Sequence, residues 1–104
     1  MARSLILLPA PETLVGTWRL YPQDDSNAAC ELRLSTQAPT LDGDLECVAN
    51  WLGEGPTSWE PTPDGIWLYG AAGSGLVHLN RQEDGLYEVR LQNGKTLVLV
   101  RKST

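Results

Sequence analysis

Side chains that could carry out acid–base chemistry are few and scattered along this chain. His78 is the only histidine, and its apolar neighbours on both sides predict an outward-facing, solvent-exposed position on a strand. The carboxylates of Asp42, Asp44 and Glu46 alternate on one face of the approach to a predicted strand, which is more typical of a solvated edge than of an acid–base pair. The glycine-rich run 70–75 is not followed by a lysine and does not resemble a phosphate-binding loop. These residues favour a protein that is not an enzyme and binds no cofactor.

The two cysteines, Cys30 and Cys47, allow a single pairing. A disulfide between them would stabilise the fold by about 3 kcal/mol and would indicate an oxidising compartment. Two buried free thiols are the alternative. A tetrahedral metal site needs more Cys or His ligands than the chain offers, so no metal site of its own is expected.

From residue 16 onward the chain consists of short β-rich segments separated by turn residues, without sustained helical spacing. Several segments alternate apolar and charged side chains, which indicates one buried and one exposed face. Asn93-Gly94 is the clearest hairpin turn. The predicted strands span residues 16–21, 30–35, 44–48, 58–61, 66–70, 76–80, 86–92 and 95–101.

The pattern predicts an all-β fold built from successive hairpins. Such strands form either a sandwich or a small antiparallel up-and-down barrel, and closure into a barrel removes exposed edges. We expect one domain over residues 10–104, with short helical turns near Thr13 and at residues 48–52. Residues 1–9 would form a separate, free N-terminal arm.

The apolar run from Ser4 to Leu8 ends at Pro9, ahead of the predicted barrel. Each large aliphatic side chain left in water forgoes about 1.5–3 kcal/mol of burial, so the run needs an apolar surface to lie on. It is too short for the apolar core of a signal peptide, and the following prolines disfavour a helix. A first strand of the sheet and an arm that inserts into a partner both fit the pattern.

The net charge is −5, and the eight basic residues do not cluster. Nucleic acid is therefore not an expected partner. The apolar segments are also shorter than a membrane-spanning helix requires, so no membrane association is expected.

Four tryptophans and no phenylalanine provide much of the bulky apolar volume. Trp18 follows Gly16 at the start of the first predicted strand, and this spacing resembles the Gly-x-Trp opening of lipocalin-like barrels, in which the ring plugs one end. Trp51 and Trp67 fit either a core position or an exposed binding patch.

Four sequence elements are distinctive: residues 3–8 (Arg-Ser-Leu-Ile-Leu-Leu), Gly16-Thr17-Trp18, the cysteine pair, and residues 59–65 (Trp-Glu-Pro-Thr-Pro-Asp-Gly). Together they resemble the small periplasmic and secreted bacterial inhibitors of serralysin-type alkaline metalloproteases. The resemblance covers nearly the whole chain. The string at 59–65 is the most specific element, whereas Gly-x-Trp alone would be weak.

The resemblance implies an eight-stranded antiparallel barrel with one disulfide, monomeric when free and bound 1:1 to a secreted serralysin-type zinc protease. The N-terminal arm would lie extended in the active-site cleft, where its terminal amine displaces the water that attacks the peptide bond. A periplasmic or secreted location is implied as well. The protease-binding residues carried onto this chain are Arg3, Ser4, Leu5, Ile6 and Leu7, of which Ser4 and Leu5 would lie nearest the zinc.

The start of the chain departs from the family pattern. Met1 and Ala2 precede Arg3, which stands where the family usually has its first serine. Two extended residues add about 7 Å, so an amine on Met1 cannot take the place of one on Arg3 unless the arm shifts. The amine must also lose its proton to bind a metal, since its ordinary pKa is about 8. Zinc ligation by the amine is therefore expected only if the mature chain starts at Arg3.

A lipocalin-like carrier of a small apolar ligand is the alternative function, suggested by Gly16-Thr17-Trp18 and the succession of hairpins. Its weakness is size, because small barrels are filled by their own side chains.

Overall fold

Successive strands pair antiparallel and curl into one sheet. The computed structural model describes residues 10–102. Within them, β1 pairs with β8, so the first and last strands lie side by side and the barrel is nearly closed. The sheet order is β3-β2-β1-β8-β7-β6-β5-β4, with β1 Gly16–Pro22, β2 Cys30–Leu34, β3 Leu41–Gly43, β4 Ser58–Thr62, β5 Gly65–Tyr69, β6 Gly75–Glu83, β7 Leu86–Arg90 and β8 Thr96–Arg101.

The predicted all-β, eight-stranded antiparallel barrel is confirmed. Most strands alternate buried and exposed side chains, and the buried set fills the barrel interior. Burying one large aliphatic side chain stabilises a fold by about 1.5–3 kcal/mol, so this interior dominates the stability. The largest fully buried side chains are Trp18, Leu20, Leu32, Leu34, Val48, Ile66, Leu68, Leu79, Leu97 and Leu99.

The seam between the outer strands β3 and β4 is bridged by a side chain. Trp59, on β4, donates its indole N–H to the carbonyl oxygens of Ser35 at 3.1 Å and Thr40 at 2.9 Å. Both acceptors lie in the loop that joins β2 to β3. One buried tryptophan therefore connects the two edges of the sheet.

The strand predicted at residues 44–48 is wrong, because this stretch belongs to helix α1, Leu45–Leu52. The third strand is instead the shorter β3. Apolar residues at helical spacing along α1 face the core, and Gly53 ends the helix at φ +91°, donating its N–H to the Ala49 carbonyl at 2.8 Å. The helical turn predicted at residues 48–52 lies within α1. No helix in the described range is long and apolar enough to cross a membrane.

Cys30 and Cys47 form a disulfide between the start of β2 and α1, with a Cα–Cα distance of 5.8 Å. The predicted pairing is confirmed, and the free-thiol alternative is wrong. The bond encloses a sequence separation of 17 residues and ties the helix to the barrel wall.

In the up-and-down topology, the connections between strands lie alternately at the two ends of the barrel. The arm-root end comprises residues 10–15, the β2–β3 loop at 35–40, the turns at 63–64 and 84–85, and the end of β8. The helix end comprises α1, the disulfide and the turns at 70–74 and 91–95. Residue 10, the first of the described residues, therefore lies at the end opposite the helix.

Candidate functional site

The predicted protease-binding residues, Arg3, Ser4, Leu5, Ile6 and Leu7, lie outside the described residues. The structure describes instead the segment from which they depart. This segment is a 3-10 helix, Pro11–Leu14, and it is the helical turn predicted near Thr13. Pro11 suits a first helical position, where its fixed φ matches the helix and its missing N–H has no partner to lose.

The 3-10 helix is docked on the barrel end. The carbonyl of Ala10 accepts hydrogen bonds from the backbone N–H of Thr13 at 2.9 Å and from its hydroxyl at 2.7 Å. Leu14 is 6% exposed and belongs to the core cluster. An apolar anchor and a closed turn therefore hold the chain immediately before β1.

The carbonyls of Thr13, Leu14 and Val15, at the end of this turn, accept hydrogen bonds from the side chains of Arg101 and Trp18. Arg101, at the end of β8, donates from Nη2 to Thr13 and from Nη1 to Val15, the latter at 3.1 Å. Trp18 donates its indole N–H to the Leu14 carbonyl at 2.9 Å. The last carbonyls of a helical turn have no partner within the turn, and a cation beside them is favourable. We call this arrangement the Arg101–Trp18 clamp.

The Trp18 ring lies at the centre of the clamp. It is fully buried, with the Arg101 guanidinium carbon 4.6 Å from its centroid and the Tyr87 ring packed edge-on at 5.6 Å. Burial also raises the pKa of the Tyr87 hydroxyl. The sequence-based expectation that Trp18 plugs one end of the barrel is confirmed, and that end is the arm-root end.

The backbone conformation of residue 16 explains the glycine of the Gly-x-Trp motif. Its φ is +139°, a conformation that side chains with a Cβ rarely adopt. A Cβ built on Gly16 would also lie 3.2 Å from Nη1 of Arg101. The backbone conformation therefore favours glycine, and a Cβ would also make the guanidinium beside it shift by a few tenths of an ångström.

Two clefts flank the 3-10 helix at the arm-root end. The larger, about 590 Å³, lies between Leu14 and the β6–β7 turn, and Arg81, Glu83 and Asp84 give it charged walls. The smaller, about 200 Å³, lies between Pro11, Trp59 and the β2–β3 loop. Both border the 3-10 helix, Pro11–Leu14.

His78 lies on the outer face of β6, as predicted, but its side chain is only 21% exposed, so the prediction of a solvent-exposed histidine is wrong. Its Nε2 lies 2.9 Å from the Thr62 hydroxyl and 3.5 Å from Oδ1 of Asp64, while the Trp67 ring covers it with centroids 5.1 Å apart. Both polar contacts use the same ring nitrogen. The imidazole therefore does not bridge a hydroxyl and a carboxylate as a catalytic relay requires.

The three carboxylates that were expected to alternate along one strand are separated, because α1 starts between them. Asp42, on β3, accepts from the Gly43 N–H at 2.8 Å and from Arg33 at 3.0 Å, and these bonds lower the pKa of its carboxyl. Asp44 accepts from a β2 amide at 3.0 Å, and Glu46 lies in the first turn of α1. Among residues 10–102, no group of three or more His, Cys, Asp and Glu side chains is placed to hold a metal ion.

The two tryptophans whose positions were left open take different places. Trp51, on α1, is half-buried and packs against the core. Trp67 lies on the outer face of β5, stacked on Tyr69 with ring centroids 6.0 Å apart. The Tyr69 hydroxyl donates to Oε1 of Glu60 at 2.8 Å, and this bond raises the pKa of Tyr69.

The fold and the docked arm root can be compared with known proteins. Residues 8–101 match the model of a family described as "Protease inhibitor Inh". The chain belongs to this family of protease inhibitors. It is therefore an inhibitor and not an enzyme, and its partner is a protease.

Relatives that the chain matches over most of their length support this assignment. The chain is 50% identical over 101 residues to an alkaline proteinase inhibitor of Pseudomonas syringae pv. tomato, covering 97% of this chain and 79% of that protein. It is 42% identical over 107 residues to a proteinase inhibitor of Pseudomonas aeruginosa, covering 97% and 80%. The crystal structure of a psychrophilic marine protease MP inhibitor superposes with a TM-score of 0.84 at 37% identity, covering 90% of this chain and all of that one.

Proposed function

We propose that this inhibitor blocks a secreted serralysin-type zinc metalloprotease, in a 1:1 complex, by inserting residues 3–7 into the active-site cleft. The observation that carries the proposal is the docked arm root. An apolar N-terminal run is attached to a rigid barrel through a segment whose carbonyls are held by side-chain donors. The names of the relatives, which include alkaline proteinase inhibitors, agree with this class of target.

A rigid platform suits inhibition by insertion. An arm held at its root loses less conformational entropy on binding than a free peptide does. The bound segment also directs a chain end at the metal instead of presenting a peptide bond for attack. Residues 1–9 act in this proposal as an inhibitory arm, and residues 10–104 act as the platform.

The test is the inhibition constant, Ki, of the full chain and of a chain that lacks residues 1–8, measured against a serralysin-type protease with a fluorogenic peptide. We expect truncation to abolish measurable inhibition, because the segment proposed to occupy the cleft is gone. Leu5→Asp in the full chain should weaken inhibition strongly by placing a charge in an apolar subsite. Undiminished inhibition by the truncated chain would rule out the mechanism.

The start of the mature chain decides whether the terminal amine takes part. We expect a form that begins at Arg3 to inhibit more tightly than a form that begins at Met1, since only the shorter arm places its amine at the zinc. The advantage should grow as the pH rises through about 8, where the amine loses its proton. Equal Ki values for the two forms at every pH would show that zinc ligation by the amine contributes nothing.

A periplasmic or secreted location is part of the proposal, supported by the disulfide, which persists in oxidising compartments. Fractionation of the native host, followed by mass spectrometry of the purified protein, tests both the location and the first residue. The carrier alternative gains no support from the structure, because side chains fill the barrel interior. Recovery of the protein from the cytosol with free thiols would contradict the proposed location.

A further inference from the structure

The segment before β1 is held by side chains and not by strand pairing. Residues 10–15 belong to no strand, yet their carbonyls at positions 13, 14 and 15 all accept hydrogen bonds from the Arg101–Trp18 clamp. Arg101 lies 88 positions from Thr13 along the chain. The end of the last strand therefore restrains the chain immediately ahead of the first.

Arg101 could either position the arm root or stabilise the barrel, and the direction of its contacts distinguishes these two roles. Its two described side-chain hydrogen bonds run to Thr13 and Val15, on the segment ahead of β1, and its guanidinium covers the Trp18 ring. The sheet itself is held by the backbone pairing of β1 with β8 and by the buried core. The guanidinium thus acts chiefly on the geometry of the arm root and much less on the barrel.

We propose that Arg101 is a positioning residue for inhibition: together with the Trp18 indole N–H, it fixes the direction in which residues 1–9 leave the barrel. This inference rests on the proposed function, since it concerns how the arm reaches the cleft. An arm with a loosened root points in many directions. The apparent affinity then falls in proportion to the fraction of molecules whose arm points correctly.

The first test compares Ki values of full-length variants against the same protease. Arg101→Met removes the donors and the charge but keeps an unbranched chain, and we expect Ki to rise about tenfold. Arg101→Lys keeps the charge without the forked geometry, so it should restore part of the affinity. Arg19→Met is the matched control, because Arg19 is exposed on β1 beside β8, and it should change Ki less than about twofold.

The second test separates positioning from loss of stability. Amide hydrogen exchange of the free protein should accelerate at residues 12–16 in the Arg101→Met variant while β7 keeps its protection. A role in general stability would instead accelerate exchange in β7 and in the segment alike. Arg101→Lys, which leaves the buried core unchanged, should show the same local pattern and a smaller rise in Ki if Arg101→Met does not fold.

The outcomes distinguish this inference from the proposed function. If removal of residues 1–8 abolishes inhibition but Arg101→Met and Arg101→Lys inhibit like the unaltered chain, the clamp role is wrong and arm insertion stands. If truncation leaves Ki unchanged, arm insertion itself is wrong. Weaker inhibition accompanied by uniform loss of exchange protection would also overturn the positioning role.

Discussion

Gly16 and Arg101 show how two residues at opposite ends of the chain depend on one another. Gly16 adopts φ +139°, and the space beside its Cα is occupied by Nη1 of Arg101. The glycine of the Gly-x-Trp motif therefore serves two needs, a backbone conformation and room for a guanidinium. A motif that is weak as a sequence signal has a specific physical cause in this fold.

Gly16→Ala should lower the free energy of unfolding by about 2 kcal/mol, because it adds a disfavoured φ and a close contact with Arg101. Gly94→Ala is the matched control: Gly94 also has a positive φ, +90°, but nothing lies within 4 Å of its Cβ position. It should cost about 1 kcal/mol, the conformational part alone. Urea unfolding of the two variants measures the difference, and equal losses would show that the contact with Arg101 adds nothing.

Tyr69 links a single hydrogen bond to the behaviour of the protein in alkali. Its bond to Glu60 raises its pKa, so the neutral phenol is favoured in the folded state. A raised pKa contributes stability that is fully present below the unfolded value of about 10 and is lost as the pH rises through the folded value. Glu60→Ala should therefore lower the pKa of Tyr69.

The titration can be followed by tyrosinate absorbance near 295 nm, with Tyr69→Phe used to assign the transition. The unaltered chain should show the Tyr69 transition at a higher pH than the Glu60→Ala variant does. An unchanged transition in that variant would contradict the assigned cause of the shift.

At the scale of elements, local alternation predicted the strands well and misplaced one. Residues 44–48 alternate as a strand would, but apolar residues continue at helical spacing to Leu52, and Gly53 ends the helix. A five-residue window therefore favoured a strand where a longer window contained the helical period. The buried faces of β1 and β2 could be read from the sequence, because each pattern is complete within its own strand.

Contacts between elements were beyond the reach of the sequence pattern. Trp59 bonds carbonyls 24 and 19 positions away, and no local pattern marks a loop carbonyl as an acceptor. No local pattern marks the acceptors of the Arg101 side chain either, because the carbonyls of Thr13 and Val15 lie near the other end of the chain. The arm was recognised as a candidate site because its apolar run is contiguous, whereas the clamp at its root was missed.

Trp59→Phe tests the side-chain bridge between β3 and β4. It keeps an aromatic ring but removes the donor to Ser35 and Thr40, so we expect the free energy of unfolding to fall by about 1–2 kcal/mol. Trp67→Phe is the control, because Trp67 lies on the outer face and its N–H has no hydrogen-bond acceptor within residues 10–102. Denaturant unfolding compares them, and a loss no larger than that of the control would contradict the bridging role.

At the scale of the whole molecule, the features that stabilise the fold and the features proposed to face a protease lie at opposite ends of the barrel. The disulfide and α1 lie at the helix end, whereas the 3-10 helix and the Arg101–Trp18 clamp lie at the arm-root end. A change at the helix end should therefore affect stability more than inhibition, whereas a change at the arm-root end should affect inhibition more than stability.

Replacing both cysteines, as C30A/C47A, should lower the free energy of unfolding by about 3 kcal/mol, since the unfolded chain regains the freedom that the loop had removed. Inhibition at 25 °C should stay within about twofold of the unaltered chain as long as the barrel is folded, because distant sites act independently. Circular dichroism and Ki measured on the same samples check both statements. A large rise in Ki for a folded variant would show that the two ends are coupled.

The positions of the two lysines give the difference between the helix end and the arm-root end a practical consequence. Lys95 lies in the turn at 91–95, at the helix end, and Lys102 directly follows β8, at the arm-root end. If the arm-root end is the binding face, as proposed, a molecule fixed to a resin through the Lys95 amine leaves that end facing the solution, where it can capture a protease. Attachment through Lys102 would instead turn that end toward the support and block it, so the choice of amine decides whether a solid-phase reagent works.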